Sequence, residues 1–451
     1  MIPTTKLPCQ FISLSSFQKL GFWDYYTLSS KASIFSNFPL VELGTVLKQR
    51  KESIVIDDAK IYKRCRVQLY GNGVVLRDTN GIEGKEIKTK KQQVCNTNDF
   101  LVAEIDAKFG GYGIVPTELN GAIVSSHYFL FEIDTTQLLP EFLEIVVKCN
   151  DFSKQVKATG STNYAAIRPY HVLAYLIPLP SLVEQDRIVQ VYNNRINEAK
   201  KLEDEAKSLE NGIKKYLLTE LGINENVIVK GKDIFRTICF KDLNRWDFKE
   251  SLLIKSKYPV KKIGQVLAFI STGTTPPTNR KEYFENGEIN FYTPSDIGEE
   301  MILFESERKL SQLAIEEKKA RKFNKRTLLF VGIGSTVGKV GIVGNDFATS
   351  NQQITGLVFN EVEILPEFAF HYFSNFKHIT IGEKTQATIP IINQDKIKNI
   401  PIPVPPIKIQ QDIDSNIKTL KENIRKKRNN AEFDRQLAIT EFECKIFMPC
   451  N

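Results

Sequence analysis

The fold is decided by the stretch Ile177-Pro178-Leu179-Pro180-Ser181-Leu182-Val183-Glu184-Gln185, because its opening recurs in the second half of the chain as Ile402-Pro403-Val404-Pro405-Pro406. Before each copy lie short β-branched and aromatic runs broken by Gly, Asn and Asp, which predict short strands and turns. After each copy the pattern changes abruptly to that of a long helix. The motif therefore predicts a globular part followed by a long helix, built twice.

Further pairs of segments support this repeat, in the same order and at a nearly constant offset along the chain. The pairs are Leu20–Tyr25 with Leu243–Phe248, Pro39–Leu47 with Pro259–Leu267, Gly113–Val115 with Gly341–Val343, and Leu139–Phe142 with Leu365–Phe368. Each match alone is weak, but their shared order and nearly constant offset indicate a tandem duplication of a unit of ~200 residues.

The two long helices are predicted at about residues 182–221 and 407–447. Their apolar positions step by three or four over several heptads, which is typical of a coiled-coil seam. Forty residues at ~1.5 Å each give a rod of ~60 Å. The alternative is an amphipathic helix packed on its own domain. The predicted seam comprises Val189, Tyr192, Ile196, Leu202, Leu209, Ile213, Ile413, Ile417, Leu420 and Ile424.

The composition indicates a folded chain without a membrane span. Of 451 residues, 42% are hydrophobic and 25% charged, and the net charge of +8 permits a nucleic-acid partner without establishing one. Seven scattered cysteines without CxxC spacing favour reduced thiols over a disulfide framework or zinc ribbon. With no evident secretory signal and no apolar run of ~18 residues, we expect a soluble cytoplasmic protein.

Catalytic signatures are missing from the sequence. It has no HExxH, no GxSxG and no [DN]PP[YF] tetrapeptide, the last being the signature of amino-methyltransferases. The glycine-rich stretch Phe330–Val340 does not match a P-loop. Ile333 stands where that motif requires its first glycine, and Val340 stands where it requires Ser or Thr. It is closer to the FxGxG turn of an S-adenosylmethionine-binding methyltransferase. In the first copy of the repeat, however, glycines are found at the positions of Gly338 and Gly341 but not at those of Gly332 and Gly334, the two that such a turn needs. We therefore expect a chain without catalytic or metal-binding residues.

Several motifs resemble the specificity subunit of a Type I restriction-modification system. They are Phe269–Pro276, Ile289–Ile297, Val337–Ile342, Ser350–Ile354 and the two proline tails. The resemblance extends from about Leu20 to Phe447. The first domain lacks the Gly-Thr-Thr-Pro loop and has Ser125–Tyr128 where we align Thr349–Gln352 of the second. The two domains should therefore read different bases.

The resemblance implies an α+β fold with two similar mixed α/β target recognition domains, each followed by a long helix, and an antiparallel coiled coil between the helices. It places the domains at residues 1–181 and 223–406 and the helices at 182–222 and 407–451. Each domain would read one half of a bipartite, asymmetric target in double-stranded DNA. The chain would be non-catalytic and would dock two methyltransferase subunits, with two restriction subunits as a further possibility. S-adenosylmethionine would then lie on the methyltransferase partners, and ATP and Mg on the restriction subunits.

Residues that read bases should carry paired donors and acceptors on loops. The candidates are Ser126, His127, Asn163, Tyr164 and Arg168 in the first domain and Thr274, Thr275, Asn351, Gln352, Gln353 and Gln386 in the second. The alternatives are that residues 351–353 bond their own strand ends and that His127 is a core or turn histidine.

Basic clusters should meet phosphates without reading sequence. The candidates are Lys85, Lys88, Lys90, Lys91, Lys108, Arg280, Lys281, Lys322, Lys325, Arg326, Lys339 and Lys384, and the run Lys318, Lys319 and Arg321 belongs with them. The alternative is an ordinary solvated face. The sequence leaves two rival functions open, a self-sufficient adenine-specific DNA methyltransferase and a coiled-coil scaffold without DNA specificity.

Overall fold

The computed structural model describes residues 34–156, 166–223, 255–377 and 391–447. The chain divides into two compact units. Unit 1 comprises residues 1–202 and 429–451, and unit 2 comprises residues 203–428. The division falls within both long helices, so each helix contributes one part to each unit.

The elements of unit 1 are mostly short. Its strands are β1 Leu40–Glu42, β2 Leu47–Arg50, β3 Ser53–Val55, β4 Ile61–Tyr62, β5 Cys65–Val67, β6 Val74–Leu76, β7 Ile82–Glu83, β8 Lys91–Val94, β9 Phe100–Ala103, β10 Tyr112–Ile114, β11 Ile123–Val124, β12 Tyr128–Ile133 and β13 Leu176–Pro178. Its short helices are α1 Pro140–Val146, α2 Asn150–Ser153 and α3 Pro169–Leu173. The long α4, Leu182–Leu221, begins in unit 1 and ends in unit 2. The central sheet is antiparallel in the order β10-β9-β12-β2, beside a second sheet β11-β8-β3.

Unit 2 repeats this plan. Its strands are β14 Val260–Lys262, β15 Leu267–Thr272, β16 Ile289–Tyr292, β17 Ile302–Leu303, β18 Lys309–Leu310, β19 Lys322–Asn324, β20 Leu328–Val331, β21 Val340–Val343, β22 Phe347–Ser350, β23 Ile354–Phe359 and β24 Pro401–Pro403. Its short helices are α5 Ile263–Val266, α6 Gln312–Glu316, α7 Pro366–Asn375 and α8 Gln394–Lys398. The long α9, Ile407–Ile446, begins in unit 2 and ends in unit 1. The central sheet has the order β15-β23-β20-β21-β17, beside β18-β16-β22-β19.

The tandem repeat is confirmed by matching strand registers. The order β10-β9-β12-β2 corresponds to β21-β20-β23-β15. Each proline tail is also a strand: Leu40 pairs with Pro178 in unit 1, and Val260 pairs with Pro403 in unit 2. These are segments that the sequence comparison aligned with each other, so in the described residues the repeat in sequence is also a repeat in structure. The predicted pair Leu20–Tyr25 and Leu243–Phe248 lies outside the described residues.

The central strands are buried on both faces, which explains their unbroken apolar runs. Successive residues of a strand point to opposite faces. In β20, Leu328 and Phe330 therefore join the core beneath α7, while Leu329 and Val331 join the core under the second sheet. In β9 the same alternation sends Phe100 to one core and Leu101 to the other. Each unit is thus layered as helices, sheet and sheet.

The long helices pair antiparallel within each unit, as predicted. In unit 1, Arg195 of α4 bonds Glu441 of α9 at 2.7 and 2.8 Å, and Phe442 packs beside Tyr192. In unit 2, Tyr216 accepts a hydrogen bond from Asn416 at 2.8 Å, and Glu205 pairs with Lys427. Of the predicted seam, Val189, Ile213, Ile413, Ile417 and Ile424 are buried, while Tyr192, Ile196, Leu202, Leu209 and Leu420 are half-buried.

Small side chains complete the helix contact. Ala199, Ala206, Ala431 and Ala438 are 1% exposed or less. Alanine has no long side chain to hold the backbones apart, so the helices can approach closely at these positions. Within the described ranges, no helix is long and apolar enough to cross a membrane.

Candidate nucleic-acid interface

The candidate site of unit 1 lies where three chain segments meet at the end of the central sheet. Glu104 follows β9, His127 precedes β12, and Arg168 precedes α3. The Glu104 amide donates to the His127 carbonyl at 2.8 Å, and the Glu104 carbonyl accepts from the Ile167 amide at 2.9 Å. These backbone bonds bring together two predicted base contacts, His127 and Arg168, that are far apart in sequence.

One carboxylate joins these two side chains. Oε2 of Glu104 lies 3.0 Å from Nδ1 of His127, and Oε1 accepts from Nη1 of Arg168 at 2.6 Å. The Glu104 side chain is 16% exposed, against 71% for His127 and 57% for Arg168. His127 is therefore an exposed residue on a loop and not a core histidine. Ser126 beside it is exposed as well.

Unit 2 has the same backbone frame with other side chains. The Gly332 amide donates to the Gln353 carbonyl at 2.8 Å, and the Gly332 carbonyl accepts from the Ile392 amide at 2.8 Å. Gly332 is thus equivalent to Glu104, and Gln353 to His127. The alignment of Ser125–Tyr128 with Thr349–Gln352 was wrong by two residues, because the strand registers place Tyr128 at the position of Ile354.

The polar residues predicted in unit 2 converge on one loop surface. Asn351 and Gln353 bond each other, side chain to side chain at 2.9 Å and side chain to backbone at 3.0 Å. Thr275 donates to the side-chain oxygen of Gln352, and Thr274 accepts from the Arg321 amide at 2.9 Å. The loop at 273–276 therefore lies against residues 351–353. Some of the hydrogen-bonding groups of Asn351 and Gln353 therefore stabilise the loop itself, in line with the alternative that these residues bond their own strand ends.

The glycine-rich stretch between β20 and β21 is a hairpin turn. The two strands are antiparallel, with Phe330 opposite Val340. A phosphate-binding P-loop instead joins a strand to a helix. Gly338 has φ +84°, and its equivalent in unit 1, Gly110, has φ +76°. In this left-handed region glycine is strongly favoured, so this retained pair forms turns. The other retained pair, Gly113 and Gly341, lies inside the strands β10 and β21.

Basic residues of unit 1 surround a cavity next to the candidate loop. The cavity of about 320 Å³ is lined by Arg64, Arg77, Lys88 and Tyr128, among others. Arg64 is held by Asp78 at 2.7 and 3.0 Å. Burial raises the pKa of Tyr128, so its hydroxyl stays protonated. The other predicted phosphate contacts are more peripheral: Lys85 pairs with Glu83, Lys90 pairs with Asp58, Lys108 lies over the Phe109 ring, and Lys91 begins β8.

Basic residues of unit 2 fall into two places. Lys319 and Arg321 adjoin Thr274, and Lys339 lies in the hairpin turn, so these cations border the polar loop. Arg326 instead precedes β20, at the opposite end of that strand, where Glu361 and Glu367 hold it at 2.7–3.1 Å and raise its pKa. Of the predicted phosphate contacts, Arg326 is the least suited.

The remaining phosphate candidates of unit 2 have mixed surroundings. Arg280 bonds Tyr283 and Glu317 at 2.7 and 3.0 Å, and Lys322 lies 3.9 Å from the centre of the Phe347 ring. Lys281, Lys318 and Lys325 are exposed. Asn163, Tyr164, Lys384 and Gln386 lie outside the described residues.

Sequence reasoning missed Glu104, Arg64 and Arg77. The signal for Glu104 was present, since the repeat aligns it with Gly332, a position where a charged residue replaces a glycine. Arg64 lies in the basic run Lys63-Arg64-Cys65-Arg66, which sequence reasoning passed over, whereas Arg77 has no basic neighbour in sequence. The hairpin that pairs β5 with β6 places both arginines at one cavity.

The protein is thus a structural duplication. Its two layered units share the same backbone bonds at Glu104 and Gly332, carry different polar side chains there, and each continues into a long helix. The second unit matches a known family, because the model of the Type I restriction modification DNA specificity domain matches residues 255–432. The specificity subunit of the Type I restriction enzyme MjaIX from Methanocaldococcus jannaschii is 28% identical over 211 residues. That alignment covers 44% of this chain and 47% of the relative, so the chain spans about half the length of this relative.

One solved structure extends the likeness to the fold of nearly the whole chain. A chain from a structure of the assembly and conformational transition of the Type I R-M system has TM-score 0.59 at 17% identity, covering 90% of this chain and 97% of that one. The HsdS subunit from Thermoanaerobacter tengcongensis has TM-score 0.47 at 16% identity, covering 90% and 96%. The predicted resemblance to Type I specificity subunits and the predicted fold class are both confirmed.

Proposed function

We propose that the chain is the DNA-specificity subunit of a Type I restriction-modification complex. One observation carries the proposal: the two units hold an equivalent loop frame, but present Glu104, His127 and Arg168 in one and Gly332 and Gln353 in the other. An equivalent frame with different polar side chains fits two modules that bind the same kind of ligand and read different sequences. The target would then be split and asymmetric, with one half-site for each unit.

Affinity and specificity would come from different residues. Exposed cations near the loops, among them Lys88, Lys319 and Arg321, would neutralise phosphates and make binding fall steeply with salt. The side chains on the loops would meet base edges, which carry the sequence information. Exposed cations around a polar reading surface are the composition that DNA binding requires.

The paired helices would fix the distance between the half-sites. Each has 40 residues, or ~60 Å at ~1.5 Å per residue. Half-sites separated by one helical turn of DNA lie ~34–36 Å apart, so helices of this length would suit half-sites separated by one to two turns. We further propose that two methyltransferase subunits dock on the chain and supply S-adenosylmethionine and catalysis. Restriction subunits, where present, would bring ATP and Mg.

The test is a base-resolution map of methylated adenines in the DNA of source cells with and without this chain. A split motif that disappears with the chain supports the proposed role. If the map is unchanged, duplex binding by the purified chain is measured at increasing salt. Binding that falls steeply with salt would indicate a specificity subunit without an active methyltransferase partner, whereas no binding would indicate a scaffold. The absence of binding at low salt would overturn the proposal.

A self-sufficient adenine methyltransferase is the second candidate function. It was suggested by the FxGxG-like stretch Phe330–Val340, but this stretch forms a β-hairpin between β20 and β21. Incubating the purified chain alone with S-adenosylmethionine and duplex DNA tests it. Methyl transfer by the chain alone would replace the proposed non-catalytic role.

A further inference from the structure

The three linked side chains of unit 1 have a donor and acceptor pattern that selects one kind of base pair. Resting on the DNA-reading role proposed above, we propose that Arg168 and His127, held on Glu104, read a G·C pair from the major groove.

The proton positions follow from the carboxylate. An ionised carboxylate only accepts hydrogen bonds, so Nδ1 of His127, 3.0 Å from Oε2, carries the proton. In the neutral imidazole, Nε2 is then an acceptor. Arg168 is a donor at every nitrogen, and its contact with Glu104 at 2.6 Å uses only Nη1. The pair therefore offers a donor fork beside a single acceptor.

This pattern matches one base pair. In the major groove, guanine presents two acceptors, N7 and O6, and its paired cytosine presents the N4 amino donor. Arg168 would donate to the guanine acceptors, and Nε2 of His127 would accept from the cytosine amino group. An A·T pair presents a donor at adenine N6 where the fork needs an acceptor, so it is rejected.

The burial of these three side chains suits a role in reading bases. The anchoring carboxylate is largely buried, at 16% exposure, while both side chains that would touch DNA are more than half exposed. The backbone at Arg168 is also fixed, because its amide donates to Nδ1 of His171 at 3.0 Å. Glu104 thus acts as a positioning residue that limits the side-chain freedom lost on binding.

Unit 2 cannot present this pattern from the equivalent positions. Gly332 replaces Glu104 and has no side chain, and Gln353 replaces His127 and bonds Asn351. The G·C reader is therefore specific to the half-site of unit 1, which makes it separable by experiment.

The experiment selects binding sites from a pool of random-sequence DNA duplexes with the purified full-length chain. The wild-type chain should enrich a split motif that includes an invariant G·C pair in one half-site. Arg168→Ala and Arg168→Lys should reduce the preference for that pair by about 5- to 150-fold, the range for one bidentate base contact. Glu104→Gln should reduce the same preference, and the other half-site should be unchanged in all variants.

Lys148→Ala is the matched control, since it breaks an exposed ion pair with Glu144, 3.1 Å away, on α1. It should leave both half-sites intact. An unchanged motif in the Arg168 variants, or lost preference at a pair other than G·C, would overturn the inference while leaving the proposed function in place. Loss of both half-sites in variants that keep the circular dichroism spectrum of the wild-type chain would also overturn it, because the three side chains would then not act on one half-site alone. A wild-type chain that enriches no motif would instead contradict the proposed function.

Discussion

Gln185 and Gln410, each in the first turn of a long helix, make the same three hydrogen bonds in their respective units. Each side-chain oxygen accepts from the amide that precedes a proline-started helix, Leu139 in unit 1 and Leu365 in unit 2, at 2.8 Å. Each side-chain nitrogen donates to two carbonyls at 2.7–2.9 Å, one of them in the proline tail. Both side chains are fully buried. One residue type thus ties the start of each long helix to its globular part.

Gln410→Ala should destabilise unit 2 strongly. The substitution removes the partner of the part-buried Leu365 amide, of the part-buried Glu363 carbonyl and of the buried Pro405 carbonyl, at up to ~1–3 kcal/mol for each unsatisfied group. Allowing for partial relaxation, we expect a loss of roughly 2–5 kcal/mol. Hydrogen exchange followed by mass spectrometry should show faster exchange around Leu365 and α7 and unchanged exchange around Leu139. The neighbouring Gln411 is exposed, so Gln411→Ala is the control; similar effects from both variants would refute this role.

Gly273→Ala should separate the two loops that form the candidate surface of unit 2. A Cβ at Gly273 would lie 2.4 Å from the Asn351 carbonyl oxygen, which is backbone and cannot turn aside. Overpacking of this kind typically costs ~1–3 kcal/mol. We expect weaker discrimination in the half-site of unit 2 alone, measured by selection from random duplexes. Gly298→Ala meets nothing within 4 Å and should be neutral, whereas unaltered selection by Gly273→Ala would contradict a reading role for this loop.

Lowering the pH should weaken unit 2 through His371. The side chain is 2% exposed, and burial is the main cause that lowers its pKa, opposed by Asp414 at 3.0 Å and helped by Lys418 and Lys421. The unfolded chain takes up the proton at the ordinary value of 6.5, before the folded chain does. The free energy of unfolding should therefore fall as pH drops below about 6.5, by at most ~1.4 kcal/mol per pH unit.

The measurement is urea unfolding between pH 7 and pH 5. His371→Gln keeps a donor for Asp414 but does not titrate, so it should flatten the dependence in this window. An equally steep dependence in the variant would assign the effect to other groups. Asp414, whose pKa is lowered by His371 and Lys418 despite its burial, should matter only at lower pH, where its carboxylate takes up a proton.

The repeat and the long helices could be predicted from sequence because both are periodic. The apolar steps in α4 and α9 and the proline tails depend on local pattern alone. The alignment around His127 failed because it compared side chains, whereas equivalence is set by backbone bonds from Glu104 and Gly332 to residues more than twenty positions away.

The sequence predicted which kinds of residue lie at the site better than it predicted which of them lie together. Exposed loop positions such as His127 and Arg168 could be chosen for their donors and acceptors. The carboxylate that joins them could not, because a single glutamate after a strand is an ordinary surface residue in sequence. Its role follows only when β9, β12 and the segment before α3 are brought to one end of the sheet.

Removing one heptad from each long helix should shorten the spacer of the split motif and leave both half-sites unchanged. Seven residues correspond to ~10.5 Å of helix, or up to about three base pairs at ~3.4 Å each. Removing a whole heptad keeps the apolar seam in register, so the helices can still pair. Adenine methylation mapped in cells expressing the shortened chain gives the new spacing directly. Deletion of the heptad from α4 alone, between residues 195 and 205, is the control. It should abolish methylation because α4 and α9 then differ in length, and Arg195–Glu441 and Glu205–Lys427 can no longer form together. An unchanged spacer in the doubly shortened chain would show that the helices do not set the distance.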